Sequence, residues 1–106
     1  DKEVFDYLLP LLNQYGLAYV HTGMFSDTPY EHLGGTVTQY IRKHYRGTVI
    51  ASGGYSAETG ATAIEKGDAD LIAIGRPFIA NPDYVEKVKQ EKNLVEYNNE
   101  MLGELI

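Results

Sequence analysis

Asp70-Leu71-Ile72-Ala73-Ile74-Gly75-Arg76-Pro77-Phe78-Ile79-Ala80-Asn81-Pro82-Asp83 is the stretch whose reading decides the fold. Asp70 to Ile74 is an apolar run short enough to be a buried parallel strand, and it ends in Gly75-Arg76. Asn81, with Pro82 at the first helical position, then predicts a new helix start. A glycine at the C-terminal end of a strand lets backbone N–H groups approach a ligand, and the adjacent guanidinium can grip phosphate oxygens with its fork of donors. The segment reads as an anion site, and the ligand it implies is a phosphorylated small molecule.

Working outward, Gly67 closes a small-residue helix over Ala57 to Lys66 with Ser56 as its N-cap, preceded by Gly53-Gly54-Tyr55 and by a strand over Thr48 to Ser52. Before that strand, Val37, Tyr40 and Ile41 mark one side of a helix over Thr36 to Tyr45, closed by Gly47. Met24 to Gly35, with Pro29 and the pair Gly34-Gly35, reads as a long loop, a class that tends to be functional or mobile. Leu17 to His21 is a further short strand. Ahead of it lies a helix with Asp1 as cap, apolar positions Val4, Phe5, Leu8, Leu9, Leu11 and Leu12, and Gly16 as its end; Pro10 inside it predicts a kink or a late start. The tail from Asn93 to Asn98 reads as irregular, with Asn98 as cap of a final short helix to Ile106. The order α-β-α-β-α-β-α implies parallel strands joined by helical crossovers, hence an α/β fold.

Three such strands do not close a (β/α)8 barrel, which takes roughly 250 residues. A buried parallel sheet needs both faces covered and its edges paired. The expectation is therefore a part of a larger protein, or a sheet completed by a second copy.

At 106 residues with 43% hydrophobic composition the chain reads as one soluble, globular domain at most. It contains no tract near the roughly 18 apolar residues of a membrane span, and its acidic start does not resemble a signal peptide. The absence of cysteine excludes disulfides, thiolate metal sites and a cysteine nucleophile, and fits a cytoplasmic location. Nine Lys and Arg residues against fifteen Asp and Glu, a net charge of −6, speak against a nucleic-acid partner. The run Arg42-Lys43-His44-Tyr45-Arg46 reads as a solvated helix end complementing the helix dipole.

The strongest constellation is Gly53-Gly54-Tyr55-Ser56 after one strand and Gly75-Arg76 after the next. In a barrel, the loops after the last two strands and a helix N-terminus form the recurrent phosphate site. Glycine pairs also serve tight turns, but the second glycine-ended strand favours phosphate binding. Tyr55 follows the pair directly, so its N–H can face a phosphate and its ring pack beside the ligand. His21, at the end of a strand, is either a proton donor, a ligand contact or a structural histidine. His32 and His44 lack supporting spacing, so no metal site is assigned. Tyr19, Tyr40, Tyr45 and Tyr84 read as core or interface aromatics. Ser52 and Ser56 have neither a partner histidine nor a G-x-S-x-G elbow, and the pairs Asp68/Asp70 and Glu86/Glu91 read as solvent-facing charge. No catalytic residue is assigned.

Leu17 to His21, Ala51 to Glu58 and Ala69 to Asp83 together resemble the C-terminal part of the Old Yellow Enzyme family, with coverage from about Phe5 to about Tyr97. Those proteins are FMN-dependent NAD(P)H oxidoreductases and ene-reductases on a TIM barrel. The resemblance implies that residues 1–106 form a partial barrel domain holding the sixth to eighth strands. It implies that Gly53, Gly54, Tyr55, Gly75 and Arg76 bind the FMN phosphate, that Met24 to Gly35 borders the substrate, and that Phe78 packs near the flavin. In the family, the substrate-binding histidine and asparagine (or second histidine), and the proton-donating tyrosine, belong to the first five strands, which this sequence does not include. The tail also departs from the aromatic and glycine-rich ending of many members.

Two readings follow. The parent protein is an NAD(P)H-dependent flavin oxidoreductase that passes hydride through FMN to an electron-poor alkene, and this chain is its cofactor-phosphate portion. Alternatively, the 106 residues by themselves are a non-catalytic fragment that self-associates, or pairs with the missing barrel half, and binds phosphate or nothing. A sugar-phosphate isomerase or lyase is a third possibility, disfavoured by the extended match around Arg76.

Overall fold

Val49 and Ala51 are completely buried, and the strand that carries them, β2 (Val49–Ala51), lies in the middle of a three-stranded parallel sheet. In this computed structural model, residues 2–24 and 26–101 are described. β1 (Val20–His21) flanks β2 with Val20 opposite Val49, and β3 (Leu71–Ile72) flanks it on the other side with Ile50 opposite Leu71. The strands are shorter than the sequence predicts, but side chains extend the pairing. Ser52 N–H donates to Thr22 Oγ1 at 2.9 Å, and Ser52 Oγ donates to the Thr22 carbonyl. The serine left without a catalytic role thus staples β1 to β2.

The chain forms two compact units, Asp1–Ala73 and Ile74–Ile106. In the first, α1 (Lys2–Leu12), α2 (Val37–His44) and α3 (Ala57–Glu65) accompany the sheet. Its core joins Leu9 of α1, Val37, Tyr40 and Ile41 of α2, and Tyr45, Val49, Ala51 and Ala69. Leu9 is 2% exposed, and its truncation to alanine should cost about 2–4 kcal/mol. The helix α1 has no late start. Pro10 falls in its last turn, where the missing N–H removes a single helical bond, and the Asn13 N–H still reaches the Leu9 carbonyl at 3.3 Å. The Asp1 cap lies outside the described residues.

Helix starts are written locally. Thr36 and Gln39 form a reciprocal capping box on α2, as Ser56 and Thr59 do on α3, each worth about 1 kcal/mol. Thr36 is therefore the cap and not the first helical residue. The loop before it holds a 3₁₀ turn, Glu31–Leu33, beneath a bridge between Tyr30 and Gly35.

One reading of surface charge is corrected, while Asp70 is solvent-facing as expected. Arg42 is no solvated helix end: it donates to the carbonyls of Tyr45 at 2.9 Å and Gly47 at 2.5 Å, and to Asp70 Oδ2 at 2.8 Å. Asp70 also accepts from the Val49 N–H at 2.9 Å. That backbone donor and the guanidinium hold its carboxyl below the usual carboxylate range. The pair joins the turn before β2 to the start of β3.

The second unit holds α4 (Arg76–Ala80) and α5 (Tyr84–Lys89). Here the predicted helix start moves. Proline enters at the first turn of α4 as Pro77, while Asn81 ends α4 and Asp83 precedes α5. Asn81 is completely buried. Its Nδ2 donates to the carbonyls of Pro77 and Val95, both at 2.9 Å, and its Oδ1 accepts from the Val95 N–H and from Lys87 Nζ, both at 2.8 Å. The amide orientation follows from its partners, two acceptors on one side and two donors on the other. Asn98 Oδ1 accepts from the Glu100 N–H at 3.1 Å, so it does cap a turn; residues 102–106 of the expected final helix lie outside the described residues.

Candidate functional site

The turn after β2 separates two glycines with opposite duties. Gly53 has φ +123°, and a Cβ there would meet the Asp27 nitrogen at 2.6 Å and Met24 Cβ at 3.1 Å. Its carbonyl accepts the Asp27 N–H at 2.9 Å. Gly53 is thus a glycine because the loop after β1 lies against it. Gly54, at φ +78°, meets nothing within 4 Å of its Cβ position. Among the described residues, nothing accepts from the N–H groups of Gly54 and Tyr55. A backbone turn of this kind can cradle an anion, since several N–H dipoles converge where no side chain intrudes.

Tyr55 is anchored from below. Its hydroxyl donates to Asp27 Oδ2 at 2.6 Å, and its ring packs against the core of the first unit. Burial, followed by the carboxylate of Asp27, pushes this phenol up to about 12. Tyr55 thus braces the turn through its hydroxyl, and its backbone N–H stays open to a ligand. Asp27 is the site residue that sequence reading missed, for it sits in a loop with no local signal. The start of α3 adds little for an anion: Ser56 and Thr59 satisfy each other, and Glu58 places negative charge in the first turn.

In the second unit, Gly75 (φ −105°) precedes α4 and likewise meets nothing within 4 Å of its Cβ position. Arg76 is exposed, and its guanidinium carbon lies 5.6 Å from the centre of the Tyr97 ring. Phe78 is 48% exposed. Within this second unit, the open backbone at Gly75 and the exposed guanidinium of Arg76 are donors of the kind that suit anionic oxygens.

His21 is exposed at the end of β1. Of the four tyrosines, Tyr40, Tyr45 and Tyr84 are buried and Tyr19 is 54% exposed. Among the described residues, no group of three His, Cys, Asp or Glu is placed to hold a metal, and no helix is long and apolar enough to cross a membrane.

Residues 11–95 match the model of the NADH:flavin oxidoreductase / NADH oxidase family. The chain is 35% identical over 102 residues to the putative 12-oxophytodienoate reductase 11 of Oryza sativa, covering 89% of this chain and 26% of that protein. To the 12-oxophytodienoate reductase-like protein of Solanum lycopersicum it is 38% identical over 92 residues, covering 87% of this chain and 24% of that protein. The solved old yellow enzyme of Trypanosoma cruzi superposes with a TM-score of 0.79 at 30% identity over 94% of this chain and 26% of its own. Morphinone reductase in complex with tetrahydroNAD does so with a TM-score of 0.73 at 34% identity over 90% and 25%. The three-stranded parallel sheet with its helices is thus an α/β arrangement shared with TIM-barrel enzymes. The chain spans about a quarter of the length of the relatives it matches. It belongs to the NADH:flavin oxidoreductase / NADH oxidase family, whose cofactor is FMN.

Proposed function

We propose that this chain is the FMN-phosphate portion of an NAD(P)H-dependent oxidoreductase, holding the sixth, seventh and eighth strands of a TIM barrel within residues 1–106. The observation that carries the proposal is the open backbone at Gly54, after β2, and at Gly75, beside the exposed Arg76. Gly54, the Tyr55 N–H, Gly75 and Arg76 would hold the phosphate, and Gly53 would set the turn through its contact with Asp27. FMN, when bound, supplies the hydride chemistry; the chain supplies anchorage and orientation. His21 and the Met24–Gly35 loop, which follow β1, would border the substrate, and Phe78 would lie near the flavin.

For the parent protein the proposed reaction is reduction of an electron-poor alkene with hydride from NAD(P)H. The names of the relatives, reductases of 12-oxophytodienoate and morphinone, support this class. A cytoplasmic location belongs to the same proposal and rests on the cysteine-free sequence.

A second reading concerns the 106 residues by themselves: a non-catalytic unit that self-associates or pairs with a missing barrel half. Among the described residues β1 and β3 each have one strand neighbour, and Leu71 on β3 is 54% exposed. Unpaired strand edges are templates for association. Titration with FMN against riboflavin, followed by flavin fluorescence, separates the readings. Binding of FMN without riboflavin is the expected result for a preformed phosphate site. Failure of both would assign these residues a structural role alone.

A further inference from the structure

The arginine proposed for the phosphate is not simply exposed at a strand end. It lies under an aromatic ring that arrives from the tail, and the tail is held by one buried amide. Asn81 pairs with Val95 in both directions, its Oδ1 accepting the Val95 N–H at 2.8 Å and its Nδ2 donating to the Val95 carbonyl at 2.9 Å. Lys87 Nζ, on the same Oδ1 at 2.8 Å, ties α5 into the clasp. Two residues beyond Val95, the half-buried Tyr97 sets its ring 5.6 Å from the guanidinium of Arg76. All of these residues belong to the second unit.

Resting on the FMN-phosphate reading, we propose that Tyr97 is a positioning residue for Arg76, presenting its guanidinium edge-on to the phosphate monoester. The argument is geometric. An arginine stacks through the face of its planar group, whereas all its N–H donors lie in the plane, so ring contact does not compete with a forked hydrogen bond. An arginine that surrenders rotamer freedom on gripping its ligand does so at a cost in affinity, and each contact that holds it beforehand lowers that cost. The ring restricts the guanidinium beforehand, and the Asn81 clasp restricts the ring. The irregular tail thereby acquires a role in cofactor affinity.

The test uses the purified chain, with Arg76→Ala, Tyr97→Phe, Tyr97→Leu and Tyr97→Trp. FMN and riboflavin are titrated by flavin fluorescence, and the Arg76 Nε–H resonance is followed by ¹⁵N NMR. Tyr97→Leu should weaken FMN binding about two- to fivefold and leave the riboflavin titration unchanged. It should also move the Nε–H resonance as the ring current disappears. Tyr97→Phe and Tyr97→Trp, which keep an aromatic face, should retain FMN affinity and show that loss in Tyr97→Leu is not loss of folding. Equal FMN affinity in the parent and Tyr97→Leu, with Arg76→Ala weakened, overturns the positioning role while the phosphate reading stands. An unmoved Nε–H resonance in Tyr97→Leu overturns the stacking itself. FMN binding no tighter than riboflavin in the parent overturns the phosphate reading and this inference together.

Discussion

The completely buried side chain of Asn81 and the backbone of Val95 form a two-way hydrogen-bonded pair, with distances of 2.8 and 2.9 Å. An amide side chain imitates a strand here, and it fastens a segment that has no regular structure of its own. Asn13 does the same in the first unit, donating to the His44 carbonyl and accepting from the Arg46 N–H, both at 2.9 Å.

Asn81→Ala should therefore destabilise the chain by about 1–3 kcal/mol, because it empties a completely buried position and strips partners from the Val95 backbone, Lys87 and the Pro77 carbonyl. Urea melts of the two proteins give the number. A difference below about 0.5 kcal/mol would mean that the tail is not held by this residue.

The two glycines after β2 should respond unequally. Gly53→Ala meets both a disfavoured φ and the Asp27 backbone at 2.6 Å, so a loss of about 3 kcal/mol or more is expected. Gly54→Ala meets only the backbone penalty, about 1–2 kcal/mol. Thermal unfolding of the pair checks the order, and equal losses would contradict the division of labour proposed for this turn.

Arg76→Ala should abolish the preference for FMN over riboflavin, because the guanidinium fork answers the phosphate that riboflavin lacks. Unchanged FMN affinity would remove Arg76 from the site.

Stability should fall at both ends of the pH scale for identifiable reasons. The Tyr55 phenol is raised from 10.0 to about 12, so its contribution is intact below pH 10 and is lost as pH climbs through about 12. Tyr55→Phe should flatten that alkaline loss. Asp70 is lowered from 3.8, so its contribution is present above that value and is lost as pH falls below it; Asp70→Asn should flatten the acid limb. Midpoints of chemical unfolding against pH, measured for both variants, decide the matter, and an unaltered alkaline or acid limb would count against the residue concerned.

Self-association should follow from the two sheet edges and from exposed apolar residues such as Tyr7 (77%) and Leu71 (54%). Light scattering should report species heavier than 11.8 kDa at high concentration. A sharp monomer peak would sink the expectation.

Much of the fold was legible because its signals are local. Helical spacing in residues 4–12, the Ser56 cap and the three apolar runs each report on a few neighbouring residues, and the resulting order of elements implied parallel strands. The Pro82 signal misled because Asn81 and Pro82 carry two compatible meanings. An asparagine before a proline can open a helix, or it can close one and send its amide to a partner fourteen residues away; burial selected the second.

The sequence by itself determined the α/β class, the parallel order and the glycine-ended turns, since backbone conformation and hydrophobic period are properties of short segments. Only the tertiary structure decided that Gly53 serves the Asp27 contact while Gly54 stays open, that Tyr55 is a brace, that Asp70 and Arg42 are structural partners, and that Tyr97 meets Arg76. Those assignments depend on which distant groups share a small volume, and a buried polar group takes its role from whichever partner the fold brings within hydrogen-bonding distance.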